Sequence, residues 1–153
     1  RLCDVFYIGG TKCGALFGEA VVVPRPGTIP HFFTIIKQHG ALLAKGRITG
    51  LQFDALFTDD LYLHLGETAV HGADRIRDAL RAGGVPLLID SPTNQVFPIV
   101  ANDDLDRLGS VLDYGFWEQV DDEHTAIRLA TSWATTDEDV DALRDMLSAC
   151  GMV

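Results

Sequence analysis

Two basic side chains, Lys12 and Arg128, stand among neighbours that would let them do chemistry. Lys12 follows an apolar run that ends at Gly9 and Gly10, and small or polar residues flank it. In α/β sheets, ligands bind in the loop beyond a strand's carboxyl end, where glycines let them approach the backbone. A lysine in partly apolar surroundings loses its proton more readily, and the neutral amine forms a Schiff base with an aldehyde. Lys12 is therefore a candidate nucleophile, the alternative being a solvent-exposed loop lysine.

Arg128 lies inside residues 125–132, where apolar and polar or small residues alternate as in a half-buried strand. If Ile127 and Leu129 face a core, Arg128 faces the other way, and its next-but-one neighbours are both alanine. Such small neighbours leave the planar guanidinium free to bind a carboxylate through two parallel hydrogen bonds. Arg128 is a candidate carboxylate-binding residue, the alternative being an exposed arginine on a half-solvated strand.

The charge of the chain is unevenly distributed. The net charge is −10, yet residues 1–50 hold six basic and two acidic side chains, whereas residues 51–153 hold six basic and twenty acidic ones. A locally basic segment in an acidic protein favours a small bound anion, and the overall charge argues against a nucleic-acid partner. Lys37, Lys45 and Arg47 are candidates to neutralise a phosphate, the alternative being a solvated helix face.

Composition excludes several classes of protein. With 153 residues, 47% hydrophobic and 22% charged, the chain is globular rather than disordered. No apolar stretch approaches the roughly 18 residues that a membrane-spanning helix needs. Three widely spaced cysteines are typical of a reduced, cytoplasmic protein, and the five histidines form no metal-binding cluster. We therefore expect neither a metal nor a membrane.

The first half of the chain predicts two strands followed by helices. Residues 3–8 and 19–23 are short runs rich in β-forming residues, each stopped by glycine or proline. Residues 31–57 are mostly helical in pattern, and residues 59–82 form a second long helix that ends at Gly83 and Gly84.

The second half predicts a small α/β layer. Residues 94–100 form a strand in which Pro98 must lie at an edge or a bulge, and residues 125–132 form another. Asn102 is expected to cap a helix that Gly115 closes, and Thr136 caps the last helix, with Asp139 completing a capping box.

Two segments near the N-terminus resemble a known enzyme family. DVFYIGGTKCG at residues 4–14, followed by GEAVV at 18–22, closely resembles the cofactor-lysine segment of low-specificity threonine aldolases. These belong to the aromatic amino acid β-eliminating lyase/threonine aldolase family of pyridoxal phosphate (PLP) enzymes. Further matches follow in the family's order: KQHG (37–40) with AKGR (44–47) and Gln52; TNQVF (93–97); and IRL (127–129) with SW (132–133), TT (135–136) and DVD (139–141).

The resemblance implies roles for particular residues. Lys12 would form the Schiff base with PLP beside the cofactor-binding Thr11, and Arg128 would bind the α-carboxylate of the substrate. Lys45 and Arg47 would lie near the cofactor phosphate and reach a neighbouring subunit's site. Cys13 stands where many relatives carry asparagine.

The resemblance also implies a fold. It is the α/β, aminotransferase-like architecture of fold-type-I PLP-dependent transferases. Residues 1–84 would be the C-terminal part of the large PLP-binding domain, including the connecting helix, and residues 85–153 would be the small C-terminal α/β domain. Because the match covers less than half of a full family member, we expect these 153 residues alone to be a fragment, inactive and poorly soluble.

The implied activity is retro-aldol cleavage of L-threonine, L-allo-threonine or a similar β-hydroxy amino acid to glycine and an aldehyde. The full-length protein would be a cytoplasmic homodimer or homotetramer that binds a small amino acid and neither nucleic acid nor membrane. Two alternatives stay open: a PLP-dependent β-eliminating lyase, for which the same residues would serve, and a non-catalytic α/β interaction module.

Overall fold

A computed structural model describes residues 2–152, which form two compact units. The N-terminal unit ends at His64 and the C-terminal unit begins at Leu65, within one long helix. The division expected from the sequence, between residues 84 and 85, concerns the domains of a full-length enzyme and stays a prediction.

The N-terminal unit contains one antiparallel pair of strands. Strand β1 (Phe6–Gly9) pairs with β2 (Glu19–Val22), from Phe6 opposite Val22 to Gly9 opposite Glu19. Both strands were predicted, and β1 begins three residues later than expected. Between them lies a single 3-10 turn, Thr11–Cys13, which carries Lys12.

The segment predicted to be mostly helical, residues 31–57, contains two short helices, α1 (Phe32–Gln38) and α2 (Arg47–Leu56). Gly40, at φ +70°, ends α1 in a Schellman motif, because the Ala41 N–H donates to the Ile36 carbonyl and the Gly40 N–H to the Lys37 carbonyl. The helical segment is therefore divided at this glycine.

Helix α3 (Leu61–Ala82) begins two residues later than predicted. Asp59 and Asp60 have φ angles of 51° and 58°, which lie in the left-handed region and cannot continue a right-handed helix. The predicted C-terminal cap is confirmed, since Gly84 has φ +77° and the Val85 N–H donates to the Leu80 carbonyl.

Strand β6 (His124–Ala130) is the centre of a four-stranded antiparallel sheet in the C-terminal unit. On one edge it pairs with β3 (Gln95–Val96) and β4 (Ile99–Ala101), and on the other with β5 (Gly115–Gln119). Pro98 interrupts the segment predicted as one strand, as its missing N–H requires.

Strand β5 was missed by the sequence interpretation, and the helix before it was placed too long. Helix α4 (Leu105–Gly109) ends well before Gly115, which instead begins β5. Asn102 does not cap the helix: its side chain donates to the Asp122 carbonyl and accepts from the Thr125 hydroxyl. Most of β5 is exposed, so it lacks the alternation that identifies a half-buried strand.

The core of the C-terminal unit lies between this sheet and helices α3, α4 and α5 (Asp137–Ala149). Its largest fully buried aliphatic side chains are Leu80, Val96, Leu108, Ile127, Val140 and Leu147. In the N-terminal unit, by contrast, large apolar side chains are exposed, among them Tyr7 (71%), Leu16 (85%) and Phe33 (67%). Among the described residues, no helix is both long and apolar enough to span a membrane.

The predicted capping box of α5 is confirmed and makes this helix sensitive to acid. The Thr136 hydroxyl accepts from the Asp139 N–H, and the Asp139 carboxylate accepts from the Thr136 N–H. This backbone hydrogen bond, together with the Thr136 side chain, lowers the pKa of Asp139. A lowered folded-state pKa contributes stability above the unfolded-state value, near 4, that is lost as the pH falls through the folded-state value.

We expect Asp139→Asn to flatten the pH dependence of helix α5. In the natural polypeptide that contains this chain, amide protection of residues 137–140 should fall between about pH 5 and pH 3 and should change less in the variant. Hydrogen exchange corrected for intrinsic rates measures this. Asp145→Asn, late in the same helix and without a hydrogen bond or ion pair among the described residues, is the control. Equal acid sensitivity in both variants would contradict the assignment.

Candidate active site

Lys12 is presented by a tight turn directly after β1. The Cys13 and Ala15 N–H groups both donate to the Gly10 carbonyl at 2.9 Å, and Gly14 adopts φ +93°. Thr11 and Lys12 are both exposed. Within residues 2–152, the Lys12 amine makes no hydrogen bond or ion pair. The partly apolar surroundings expected from the sequence are therefore not supplied by this part of the chain, because the turn directs Lys12 outward.

The turn rests on helix α2 through Gly10. A Cβ at position 10 would lie 2.6 Å from the Ala15 Cβ, which is closer than real contacts, and 3.2 Å from the Phe53 ring, which is tighter than most. Gly10 is buried, as is Phe53. The glycine is therefore required for space: it lets the residues on either side of Lys12 pack against an aromatic ring of the helix.

Tyr62, at the start of α3, contacts both sides of the Lys12 turn. Its hydroxyl donates to the Gly9 carbonyl at 2.8 Å. Burial raises the pKa of Tyr62, and the charge and hydrogen bond of the neighbouring Cys13 thiol raise it further. Sequence reasoning missed Tyr62, because 53 residues separate it from Gly9 and no local pattern marks such a contact.

Gln52 of α2 holds the segment that follows the turn. Its Oε1 accepts from the Leu16 N–H at 2.7 Å, and its Nε2 donates to the Phe17 carbonyl at 3.2 Å. The same helix begins at Arg47, two residues after Lys45, and both cations are exposed. Gln52 thus connects the Lys12 segment to the helix that begins at Arg47, close to Lys45.

Arg128 occupies the position that the alternating pattern predicts. Ile127 and Leu129 are buried, whereas Arg128 is exposed on the opposite face of β6. The other five arginines of the C-terminal unit all form ion pairs: Arg75 with Asp137 and Asp141, Arg77 with Asp74, Arg81 with Asp78 and Asp90, Arg107 with Asp104, and Arg144 with Asp141. Arg128 makes no ion pair or hydrogen bond with any residue that the structure describes.

The five residues to which the resemblance assigns a role therefore fall into two groups. Thr11 and Lys12 share one turn, and Lys45 and Arg47 begin a helix tied to the next segment of the same unit. Arg128 lies in the other unit. Within residues 2–152, no hydrogen bond or ion pair joins any two of the five, and no cluster of three or more histidine, cysteine or acidic side chains is arranged to hold a metal.

A solved structure of threonine aldolase from Leishmania major matches this chain with a TM-score of 0.91 and 37% sequence identity. The match covers 99% of this chain and 44% of the Leishmania protein, in its C-terminal part. The predicted resemblance to the threonine aldolases is confirmed. With it, the predicted fold class is confirmed: the chain has the fold of the C-terminal part of a fold-type-I PLP-dependent transferase. It spans less than half of the threonine aldolase that it matches. No protein-family model and no curated protein match this sequence.

We expect Tyr62→Phe to loosen the turn that carries Lys12. The variant keeps the ring and loses the hydrogen bond to the Gly9 carbonyl, whose net contribution is about 0.5–1.5 kcal/mol. Amides of residues 9–14 should therefore exchange roughly 2- to 10-fold faster, measured by hydrogen exchange in the natural polypeptide. Tyr114→Phe is the matched control, because it removes a hydrogen bond to the Leu105 carbonyl in the other unit. Unchanged exchange at residues 9–14 would show that Tyr62 does not hold this turn.

Proposed function

We propose that the protein containing this chain is a PLP-dependent aldehyde-lyase that cleaves L-threonine, L-allo-threonine or a similar β-hydroxy amino acid to glycine and an aldehyde. The observation that carries the proposal is the match to a threonine aldolase over nearly the whole chain. Lys12 and Arg128, which are among the cations that have no partner within the described residues, supply chemical support.

The described residues fit PLP in the chemistry of their donors. The Lys12 amine has no carboxylate on it, so it is available to condense with the formyl group of the coenzyme, with loss of water. Thr11 lies beside it in the same turn. Lys45 and Arg47 place two cations at the start of α2, where the helix dipole also favours an anion, so we assign them to the phosphate. When bound, the coenzyme supplies a conjugated ring that accepts the electron pair of the broken Cα–Cβ bond.

Arg128 is assigned to the α-carboxylate of the substrate. Its guanidinium offers two parallel N–H donors, and no aspartate or glutamate among the described residues competes for them. A carboxylate held in this way has a fixed direction, so the substrate can be oriented with the bond to be cleaved in the reactive position. The C-terminal unit holds β6, and with it Arg128, in place by pairing the strand on both of its edges.

The assembly is part of the proposal. We infer that the full-length protein is a cytoplasmic homodimer or homotetramer, in which Lys45 and Arg47 reach a neighbouring subunit's site. The exposed apolar side chains of the N-terminal unit support this, because apolar surface of this kind is normally covered by further protein. Because the chain spans less than half of the threonine aldolase that it matches, the 153 residues alone are expected to be inactive.

The attachment of the coenzyme to Lys12 is directly testable. In the natural full-length polypeptide incubated with PLP, borohydride should fix the coenzyme on the peptide that contains Lys12, as mass spectrometry of the digest would show. Lys12→Ala should lose both this modification and the release of glycine and aldehyde from L-threonine.

Arg144→Ala, which removes an exposed cation of α5 that has no assigned role, is the control and should retain both. Modification of a different lysine, or none, would overturn the assignment of Lys12. Release of ammonia and an oxo acid in place of glycine and an aldehyde would show that the enzyme catalyses β-elimination rather than aldol cleavage.

A further inference from the structure

Gly115 lies directly opposite Arg128 in the antiparallel pair of β5 and β6. Residues opposite each other in such a pair project from the same face of the sheet. A Cβ at position 115 would lie 3.3 Å from Nε of Arg128, 3.5 Å from its Nη2 and 3.6 Å from its Cβ. The arginine side chain therefore lies next to the bare backbone of Gly115. Only the approach to Nε is tighter than an ordinary contact, so a Cβ here would shift the guanidinium by a few tenths of an ångström.

The backbone conformation does not require a glycine at this position. Gly115 is not among the residues with positive φ, so any residue could adopt its conformation. Glycine within a strand weakens the strand, by about 0.5–1 kcal/mol relative to alanine in regular structure, and often marks the close approach of another group. The group that approaches Gly115 is the guanidinium of Arg128.

No charged partner determines where this guanidinium lies. Glu118, the acidic residue of β5, pairs with Ala126 after a register shift and forms no ion pair with Arg128. Ala126 and Ala130, the next residues of β6 on the face of Arg128, are too small to confine it. The backbone at Gly115 is thus one surface beside which the guanidinium lies.

We propose that Gly115 is a positioning residue for Arg128: the missing side chain lets the guanidinium lie against β5 and sets the direction from which it meets a carboxylate. This inference rests on the proposed role of Arg128 in binding the substrate carboxylate. It extends that role to a residue that never touches the substrate, and it predicts an effect confined to ligands that carry a carboxylate.

The test compares two ligands in the natural full-length polypeptide loaded with PLP. Glycine and glycinamide both carry the amine, but only glycine carries the carboxylate, and the binding of each is followed through the absorption of the coenzyme. Gly115→Ala should weaken the binding of glycine roughly 10-fold, because a charge-assisted pair is partly lost. The affinity for glycinamide should stay within about twofold of the unsubstituted protein's. The KM for L-threonine should rise with little change in kcat, because coenzyme attachment at Lys12 is unaffected.

Two further variants make the test specific. Gly109→Ala is the matched control, since its Cβ would meet only the Tyr114 ring at 3.7 and 3.8 Å, an ordinary contact. In an Arg128→Ala background, Gly115→Ala should have no further effect on glycine, because the side chain that it displaces is gone. If Gly115→Ala lowers the melting temperature, the double variant with Arg128→Ala should restore it.

The outcomes separate this inference from the proposed function. If Arg128→Ala does not weaken glycine relative to glycinamide, the carboxylate-binding role of Arg128 fails, and this inference fails with it. If Arg128→Ala weakens glycine selectively and Gly115→Ala does not, only the inference about Gly115 is overturned. Equal weakening of both ligands by Gly115→Ala, or destabilisation that persists in the double variant, would assign Gly115 a purely structural role.

Discussion

Strand β6 is hydrogen-bonded along both of its edges, and the rest of the C-terminal unit depends on that position. Thr125 and Ala126 are aligned twice: Ala126, for example, lies opposite Ile99 on one side and Glu118 on the other. A slip by one residue would turn Ile127 and Leu129 to the outer face and force Arg128 into the core. An unpaired buried charge is very costly, so the same packing that forms the core keeps Arg128 outside it.

Many aspartates of the C-terminal unit form ion pairs with its arginines. Arg75 pairs with two aspartates of α5, and the buried Arg77 pairs with Asp74 and donates to the Thr93 carbonyl. Exposed ion pairs such as those of Arg75 contribute little stability individually. Their combined consequence is more important here, because they leave Arg128 as the arginine of this unit without an internal carboxylate. In a chain with a net charge of −10, this is the position that we propose for an external carboxylate.

Features that depend on neighbouring residues could be predicted from the sequence. Thr136 and Asp139 form a capping box from a spacing of three residues, and Gly84 ends α3 because only glycine readily adopts its left-handed conformation. Features that depend on distant residues could not be predicted from the sequence. Strand β5 has few buried positions and is recognised only by its pairing with β6, and Asn102, a good capping residue by type, instead bonds to Thr125.

The candidate site follows the same division between local and distant information. The proposed site residues Lys12 and Arg128 could be identified from the sequence because their side-chain chemistry is unusual for their position. Their neighbours have no such chemistry: Gly10 and Gly115 leave space, and Tyr62 and Gln52 bind backbone groups. Each of these contacts joins segments that are far apart in the chain or on different strands. Substitutions at the two glycines should therefore change how Lys12 and Arg128 are directed while leaving both side chains in place.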